Sequence, residues 1–182
     1  EKLLYLRTHG ITKDRALMQE DHGPWYYEMT ALGFNYRITD MQCALGLSQM
    51  RRLDDWLERR REIAGMYDAA FANKEIVVTP YVSPNVEHAY HLYVIQVANR
   101  KEVFERLRSW GIGVQVHYIP VHLQPYYRER FGFKQGDFPV AEDYYSRCLS
   151  IPIYPGMTDE DVDYEVRRVA QAEMEASILL AR

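Results

Sequence analysis

Apolar residues recur at helical spacing between residues 39 and 72. Intervals of three, four, seven or eight positions separate Met41, Leu45, Leu53, Leu57, Ala64, Tyr67 and Phe71. Charged residues fill the other faces. Thr39 and Gln42 have the pattern of a capping box, in which each side chain bonds the backbone amide of the other residue. We therefore predict a helix that starts at residue 39 and, if unbroken to about Ala72, is on the order of 50 Å long.

Residues 1–38 show little periodicity and contain several turn-forming residues, namely Gly10, Gly23, Pro24 and Gly33. This pattern predicts a short helix or strand followed by an extended loop, which is long for a self-contained domain. The first residues include no Met and resemble the end of a helix, so we expect the chain to be a fragment.

Strands and helices alternate beyond Pro84. We predict a strand at 91–97, a helix from Asn99 to Gly111, a strand at 114–118, a helix at 139–147, a strand at 149–153 and a final helix capped by Thr158. No repeat or low-complexity tract interrupts them. The alternation predicts an α/β or α+β small domain in which helices flank a short sheet.

Two polar side chains share one face of the predicted strand at 114–118. Alternation places Val114 and Val116 on one side and Gln115 and His117 on the other. A solvated sheet edge would normally carry more charge than this segment does. The residues alone leave a binding role and a plain surface role both open.

A polar turn, residues 33–40, precedes the first long helix. Helix N-termini attract anions, and an Asn amide and an Arg guanidinium at this place suit phosphate recognition. Asn35 and Arg37 are therefore candidate phosphate ligands. The alternative is that Asn35 only makes a turn and Arg37 only a surface ion pair.

Charge and hydropathy exclude several classes of protein. The 182 residues carry 22 Lys and Arg against 26 Asp and Glu, with both signs scattered, so no basic stripe is available for nucleic acid. No apolar run approaches the ~20 residues that span a bilayer, and no signal pattern opens the chain. We expect a soluble, cytoplasmic protein without nucleic-acid or membrane partners.

The chain has two cysteines, Cys43 and Cys148, which we expect to be buried thiols rather than a disulfide.

Lysines and histidines give little local evidence of chemistry. None of the five lysines lies in an apolar setting suited to imine formation: Lys2, Lys13, Lys74, Lys101 and Lys134. His88 and His91 could be combined with His117 or His122 into the metal site of a hydrolase, but on a strand the two rings would point to opposite sides of the pleat, so we assign no metal ligand. The alternative is that His91 is a hydrogen-bonded core histidine and His88 a loop residue.

Segments in a fixed order resemble the DegT/DnrJ/EryC1/StrS sugar aminotransferases. They are Arg7–Gly10, Gly33–Gly46, Arg59–Ala64, His91–Tyr93, Gly111–Gly113, His117–His122 and Leu149–Pro152. The resemblance covers nearly the whole chain, and within the family it is greatest to the UDP-4-amino-4,6-dideoxy-N-acetyl-altrosamine transaminases of pseudaminic acid synthesis. The combined pattern is far more specific than any one short motif.

The resemblance implies the type I aminotransferase fold, in which a small C-terminal domain covers a large domain that binds pyridoxal 5'-phosphate. Residues 1–38 would be a remnant of the large domain and its connecting loop. Residues 39–182 would be the long linking helix and the C-terminal small domain. The family's imine-forming lysine precedes the segment that matches Arg7–Gly10, so we expect no catalytic lysine in this chain and no activity from it alone.

The resemblance also implies site residues and a reaction. Asn35 would reach the cofactor phosphate of the partner subunit in a homodimer, and Arg37 is assigned to a substrate phosphate on charge and position. The residues expected to contact the UDP-sugar are Gln115, Val116, His117 and Tyr118. The reaction would move an amino group from glutamate to the 4-keto carbon of a UDP-linked 4-keto-6-deoxy-hexosamine. The alternative is a non-catalytic dimerisation or partner-binding module.

Overall fold

The computed structural model describes residues 1–72 and 76–180, so Lys74 lies outside the described residues. The helices are α1 (Lys2–Leu6), α2 (Asp40–Met50), α3 (Leu53–Phe71), α4 (Arg100–Ser109), α5 (Pro125–Phe131), α6 (Pro139–Arg147) and α7 (Asp159–Leu180). The strands are β1 (Ile11–Thr12), β2 (Glu28–Met29), β3 (Val77–Val78), β4 (Tyr93–Val97) and β5 (Cys148–Ile151). The chain divides into two compact units, residues 1–52 and 53–182.

The unit formed by residues 53–182 contains a three-stranded antiparallel sheet in the order β3-β4-β5. Every second residue of β4 is buried, namely Tyr93, Ile95 and Val97. Directly opposed residues of antiparallel strands lie on the same face. Leu149, opposite Ile95, and Ile151, opposite Tyr93, therefore extend the buried face across the sheet.

Three amphipathic helices complete this core. Helix α7 packs against α3 and α4, and α4 also packs against β4 and β5. The side chains that these helices bury recur at helical spacing: Ile63, Ala64, Tyr67 and Phe71 on α3, Val103 and Leu107 on α4, and Val162, Val169, Ala172 and Ala176 on α7. Each large apolar side chain buried in this way contributes about 1.5–3 kcal/mol. The predicted α+β small domain of helices on a short sheet is confirmed.

Consecutive arginines of α3 tie this helix to two loops. Nη1 of Arg60 donates to the backbone carbonyls of Tyr90 and Ile153 at 2.9 and 2.8 Å. Nη2 of Arg59 donates to the carbonyl of Met157 at 2.8 Å. Since guanidinium groups provide several donors in a fixed fork, adjacent arginines can hold chain segments that follow β5 and precede β4.

The helix predicted to start at residue 39 does not continue unbroken to residue 72. Helix α2 ends at Met50, and α3 begins at Leu53. At the break, the Arg52 amide bonds the Gln49 carbonyl, three residues back, instead of continuing the α-helical ladder. Asp54 and Asp55 follow in the first turn of α3, where carboxylates favour a new helix N-terminus through the helix dipole.

The segment 114–118 is not a full strand, which corrects a second prediction. It forms a single antiparallel bridge, Gln115 to Ser150. The next amide, of Val116, bonds Oε1 of the Gln115 side chain at 2.9 Å. The Val116 amide is thereby satisfied within its own segment.

Two predicted burials are also wrong. His91 is exposed, because β4 starts only at Tyr93 and His91 lies ahead of the sheet. Cys43 is exposed as well, because α2 buries none of its residues. Cys148 is buried as expected, on β5.

Candidate functional site

The segment Gln115–Tyr118 lies along the outer edge of β5. The Gln115 amide donates to the Ser150 carbonyl at 3.2 Å, and the Ser150 amide donates to the Gln115 carbonyl at 2.8 Å. Ser150 also pairs with Val94 on β4, so the bridge adds Gln115 to the free side of the sheet. The bridge places the side chains of Gln115 and Ser150 on one face.

Three side chains of this segment present groups that can bind a ligand. Gln115 is exposed, and among the described residues only its Oε1 has a partner, which leaves the amide NH₂ group available to donate. His117 is half-buried, with Nδ1 2.7 Å from Oγ of Ser150. The Tyr118 ring is 70% exposed and lies edge-on to the His117 imidazole, with ring centroids 4.6 Å apart. The segment thus offers an amide, an imidazole and a phenol on consecutive or nearby residues next to β5.

The backbone behind His117 is held by a buried thiol. Sγ of Cys148 lies 3.8 Å from the His117 carbonyl and 3.7 Å from that of Tyr145. Burial raises the pKa of the Cys148 thiol, although the charge of Arg100 opposes this rise. The thiol therefore stays protonated and acts as a weak donor to these carbonyls rather than as a nucleophile.

His122 is a structural residue in this fold. It is buried, and its Nε2 lies 2.9 Å from Oε1 of Glu142. The same carboxylate accepts the amides of Gly136 and Phe138, at 2.8 and 3.4 Å. The hydrogen bond from His122, and then these amides, hold the pKa of Glu142 below its usual value against the effect of burial. His122 thereby fixes the loop that leads into α6.

In the unit formed by residues 1–52, Asn35 lies on a backbone that is anchored on both sides. The amides of Phe34 and Tyr36 donate to the carbonyls of Leu6 and Arg7 at 2.7 and 3.0 Å, and Asn35 forms a bridge with Thr8. The Asn35 side chain is exposed and has no hydrogen-bond partner among residues 1–72 and 76–180. The backbone is thus firm while the side-chain amide stays available.

Close approach of two glycines makes this anchoring possible. A Cβ atom on Gly33 would overlap the backbone nitrogen of Gly10, and one on Gly10 would overlap the carbonyl oxygen of Ala31. Gly10 also has a φ of 67°, in the left-handed region that favours glycine. The two segments that contain Arg7–Gly10 and Gly33–Asn35 can therefore lie backbone against backbone.

The helix N-terminus after Asn35 is less open to anions than the sequence suggested. The capping box predicted at Thr39 and Gln42 is confirmed, and it occupies the amides of both residues. Asp40 adds a carboxylate to the first turn. Arg37 is exposed and has no ion-pair partner within the described part of the chain. Any phosphate recognition here would rest mainly on the Asn35 and Arg37 side chains.

Other candidate chemistry finds little support. The four lysines that the structure describes, Lys2, Lys13, Lys101 and Lys134, are all exposed. Within the described ranges, no group of three or more His, Cys, Asp and Glu side chains is arranged to hold a metal ion. A search of the same residues finds no helix whose length and apolar character would carry it across a bilayer.

Ser150 is the site residue that sequence reasoning did not assign. It lies in the Leu149–Pro152 segment that carried part of the resemblance, and it is the polar residue of a strand whose residues are all buried. A buried serine within such a strand needs a hydrogen-bond partner. That need was the available signal, but its partner, His117, is 33 positions away in sequence.

Comparison with known proteins agrees with this arrangement of segments. The model of the DegT/DnrJ/EryC1/StrS aminotransferase family matches residues 1–170. The chain belongs to this family. Family members are aminotransferases that depend on pyridoxal 5'-phosphate, so the predicted family and its cofactor class are confirmed at that level.

Relatives in this aminotransferase family include proteins of polysaccharide and amino-sugar synthesis. The chain is 44% identical over 176 residues to the spore coat polysaccharide biosynthesis protein SpsC of Bacillus subtilis, covering 93% of this chain and 45% of SpsC. It is 36% identical over 169 residues to the UDP-4-amino-4,6-dideoxy-N-acetyl-beta-L-altrosamine transaminase of Campylobacter jejuni, covering 90% of this chain and 42% of the transaminase. The chain thus spans under half the length of these relatives.

A solved structure shows the same fold. PseC of Helicobacter pylori, described as an aminotransferase involved in the biosynthesis of pseudoaminic acid, superimposes with a TM-score of 0.80 at 26% identity. The superposition covers 96% of this chain and 46% of PseC. The described fold is therefore that of part of a sugar aminotransferase.

Proposed function

We propose that the protein carrying this sequence transfers an amino group from glutamate to the 4-keto carbon of a UDP-linked 4-keto-6-deoxy-hexosamine. It would act in the cytoplasm as a homodimer. The observation that carries this proposal is the Gln115–Tyr118 segment, which sets an amide, an imidazole and a phenol side by side next to β5 in a family of sugar aminotransferases.

The side chains of this segment suit a nucleotide sugar. Phosphate and sugar oxygens accept hydrogen bonds, and the Gln115 amide and the His117 ring can donate them. The exposed Tyr118 ring offers an apolar face with a polar tip, which suits a uracil or a sugar ring. We assign Gln115, Val116, His117 and Tyr118 to the UDP-sugar, with Val116 holding the Gln115 side chain through its amide.

The residues of this chain fit the phosphate of pyridoxal 5'-phosphate but not its imine. Asn35 has a free side-chain amide on an anchored backbone, and Arg37 adds an exposed positive charge nearby in sequence. We assign Asn35 to the cofactor phosphate of a partner subunit and Arg37 to a substrate phosphate. No described lysine is buried, so the imine-forming lysine is proposed to come from outside this sequence.

In this mechanism the residues of the chain bind and orient rather than transfer protons. Pyridoxal 5'-phosphate, when bound, supplies the electron sink for removal of the amino group from glutamate and its delivery to the sugar. Gln115 and His117 would fix the nucleotide so that the 4-keto carbon is presented in one orientation. Positioning of this kind lowers the barrier by holding reactants in a near-attack geometry.

The proposal is tested with the complete protein that carries this sequence. Purified protein, cofactor, glutamate and a UDP-4-keto-6-deoxy-N-acetylhexosamine should yield the UDP-4-amino sugar, detected by mass spectrometry. Failure to aminate any nucleotide ketosugar would remove the proposed function. A protein that dimerises without turnover would instead indicate the non-catalytic module.

Site variants separate the two proposed binding roles. Gln115→Ala should raise KM for the sugar about tenfold, which corresponds to the loss of one or two hydrogen bonds, while the reaction with glutamate is unchanged. Gln135→Ala, which changes an exposed glutamine of the loop before α6, is the matched control and should have no effect.

Asn35→Asp should weaken cofactor binding by placing a carboxylate against the phosphate. An unchanged cofactor affinity would contradict the role of Asn35.

A further inference from the structure

The hydroxyl of Ser150 has a single hydrogen-bond partner in the described part of the chain. Its Oγ lies 2.7 Å from Nδ1 of His117. Ser150 is 4% exposed, so water does not replace this partner. A buried hydroxyl that lacks an acceptor is destabilising, because its hydrogen bond to water is lost and not replaced. The hydroxyl hydrogen therefore goes to Nδ1, the acceptor within reach.

This hydrogen bond determines which nitrogen of a neutral His117 ring carries the hydrogen. In a neutral imidazole one nitrogen carries hydrogen and the other accepts. If Nδ1 accepts from Ser150, then the hydrogen must be on Nε2. The reverse arrangement, with Nδ1–H donating to Ser150, would leave the buried hydroxyl hydrogen without an acceptor among the described residues.

Ser150 also controls where the ring lies. Its amide and carbonyl both bond Gln115, two residues before His117. One residue thus fixes the backbone of the binding segment and the orientation of its imidazole. The ring also lies edge-on to the exposed Tyr118 ring, but this contact joins two side chains of the same segment and does not tie the ring to the sheet.

We propose that Ser150 is a positioning residue that holds His117 as the Nε2–H tautomer and thereby presents a hydrogen-bond donor to an oxygen of the nucleotide sugar. The ligand part of this inference rests on the proposed function, whereas the tautomer part concerns this chain alone. Ser150 itself touches no substrate. Its effect on the reaction passes through His117.

The tautomer is measured by long-range ¹H–¹⁵N NMR of the chain labelled at histidine. The His117 signals are assigned by their loss in His117→Gln. Wild-type chain at neutral pH should show His117 in the Nε2–H form, and Ser150→Thr, which keeps a hydroxyl, should retain it. Ser150→Ala should give an averaged mixture of both tautomers. An Nδ1–H form in the wild type, which needs no variant to observe, would overturn the role of Ser150.

The link to substrate is measured by a double-mutant cycle in the complete enzyme. Ser150→Ala and His117→Ala should each raise KM for the nucleotide sugar about five- to twentyfold with the glutamate half-reaction unchanged. The double variant should be no worse than His117→Ala, because Ser150 acts only through His117. Val94→Ala, which alters the neighbour of Ser150 on β4, is the control and should leave KM unchanged.

Two outcomes separate this inference from the proposed function. If the double variant shows the product of both single effects, Ser150 acts independently and the inference is overturned. If the tautomer is as expected but His117→Ala leaves the sugar KM unchanged, the site assigned in the proposed function is wrong, and the ligand part of this inference is overturned with it.

Discussion

At the scale of single residues, the buried Tyr67 hydroxyl faces two oxygen atoms, one of Pro152 and one of Glu165, but has only one proton to donate. The Tyr67 hydroxyl lies 2.9 Å from the Pro152 carbonyl and also contacts Oε2 of Glu165. A phenol has one proton to donate. If Glu165 is protonated, it donates to the phenol oxygen while the phenol donates to Pro152, and every group is satisfied. Burial raises the pKa of Glu165 to about 7, with the charge of Asp161 adding to the increase and the Tyr67 bond opposing it.

The raised pKa of Glu165 predicts a loss of stability with increasing pH. The folded protein keeps this proton up to about pH 7, whereas the unfolded chain releases it near the ordinary value of 4.5. The free energy of unfolding should therefore fall as pH rises through this window. Glu165→Gln, which imitates the neutral acid, should equal the wild type near pH 4 and exceed it at pH 8 by about 3 kcal/mol.

Urea denaturation of the wild type and Glu165→Gln between pH 4 and 8 tests this. Glu160→Gln, on the exposed part of the same helix, controls for the loss of one negative charge. A difference between Glu165→Gln and the wild type that stays constant across this pH range would contradict a protonated Glu165.

Local signals at residue scale were predictable, and distant ones were not. The capping box at Thr39 follows from two residues three positions apart and could be read directly. Asn99 occupies the predicted N-cap of α4, but its side chain donates to Ser177 instead of capping. The Ala98 amide donates a hydrogen bond to Oε1 of the buried Glu173 on α7, at 3.0 Å. A carboxylate 75 positions away leaves no trace in the local pattern.

At the scale of elements, two glycines have equally open surroundings but differ in backbone conformation. A Cβ atom on Gly65, in the middle of α3, or on Gly111, after α4, would meet no atom within 4 Å. Gly65 has helical backbone angles, whereas Gly111 has a φ of 81°. Only the second position requires a residue without a side chain.

This contrast predicts stability changes of opposite sign. Gly65→Ala should raise the free energy of unfolding by about 0.5–1 kcal/mol, because alanine loses less backbone entropy in a helix. Gly111→Ala should lower it by about 1–2 kcal/mol, because of strain in the left-handed region. Urea denaturation midpoints of both variants measure these changes. A loss of stability in Gly65→Ala would show that the open face of α3 is occupied.

Helix α7 begins with a capping box that the sequence indicated only in part. The Asp161 amide donates to Oγ1 of Thr158 at 3.1 Å, and the Thr158 amide donates to the Asp161 carboxylate at 2.9 Å. Thr158→Ala should destabilise the unit by about 1 kcal/mol, since a helix amide loses its acceptor. Thr158→Ser keeps the oxygen and should remain within a few tenths of a kcal/mol of the wild type. Equal losses in thermal or urea unfolding would argue against the cap.

At the scale of the whole molecule, the two units differ sharply in burial. In residues 1–52 only Gly10 and Thr12 are buried, whereas the 53–182 unit has a continuous core. The exposed apolar side chains of the first unit include Leu3, Leu17, Trp25, Leu32, Tyr36, Met41 and Leu45. Apolar surface of this extent marks an interaction region.

Exposure on this scale predicts self-association of the chain. Light scattering should show assemblies larger than a monomer at micromolar concentration, and a chain limited to residues 53–182 should show fewer or none. Association that persists in the shorter chain would place the adhesive surface in the 53–182 unit instead. A clean monomer of the full 182 residues would contradict the prediction.

Most of the 53–182 unit could be predicted, because helical and strand periodicity act over short distances. The helix at 139–147 has the predicted bounds. The break after Met50 was missed, because apolar residues keep their spacing across Arg51 and Arg52 even though the backbone does not. The site was predicted as a set of residues, but its attachment to β5 depends on a pairing between Gln115 and Ser150 that periodicity does not encode.

The close backbone approach at Gly10 and Gly33 limits which residues can replace these glycines. A library that randomises position 33 should return glycine almost alone among folded variants, because any side chain would separate the two backbone segments that hold Asn35. Position 46, where a Cβ atom meets nothing, should accept many residues. In distant relatives position 33 should therefore remain glycine while position 46 varies. The short distance between two backbone segments would then appear as a conserved glycine in the sequence.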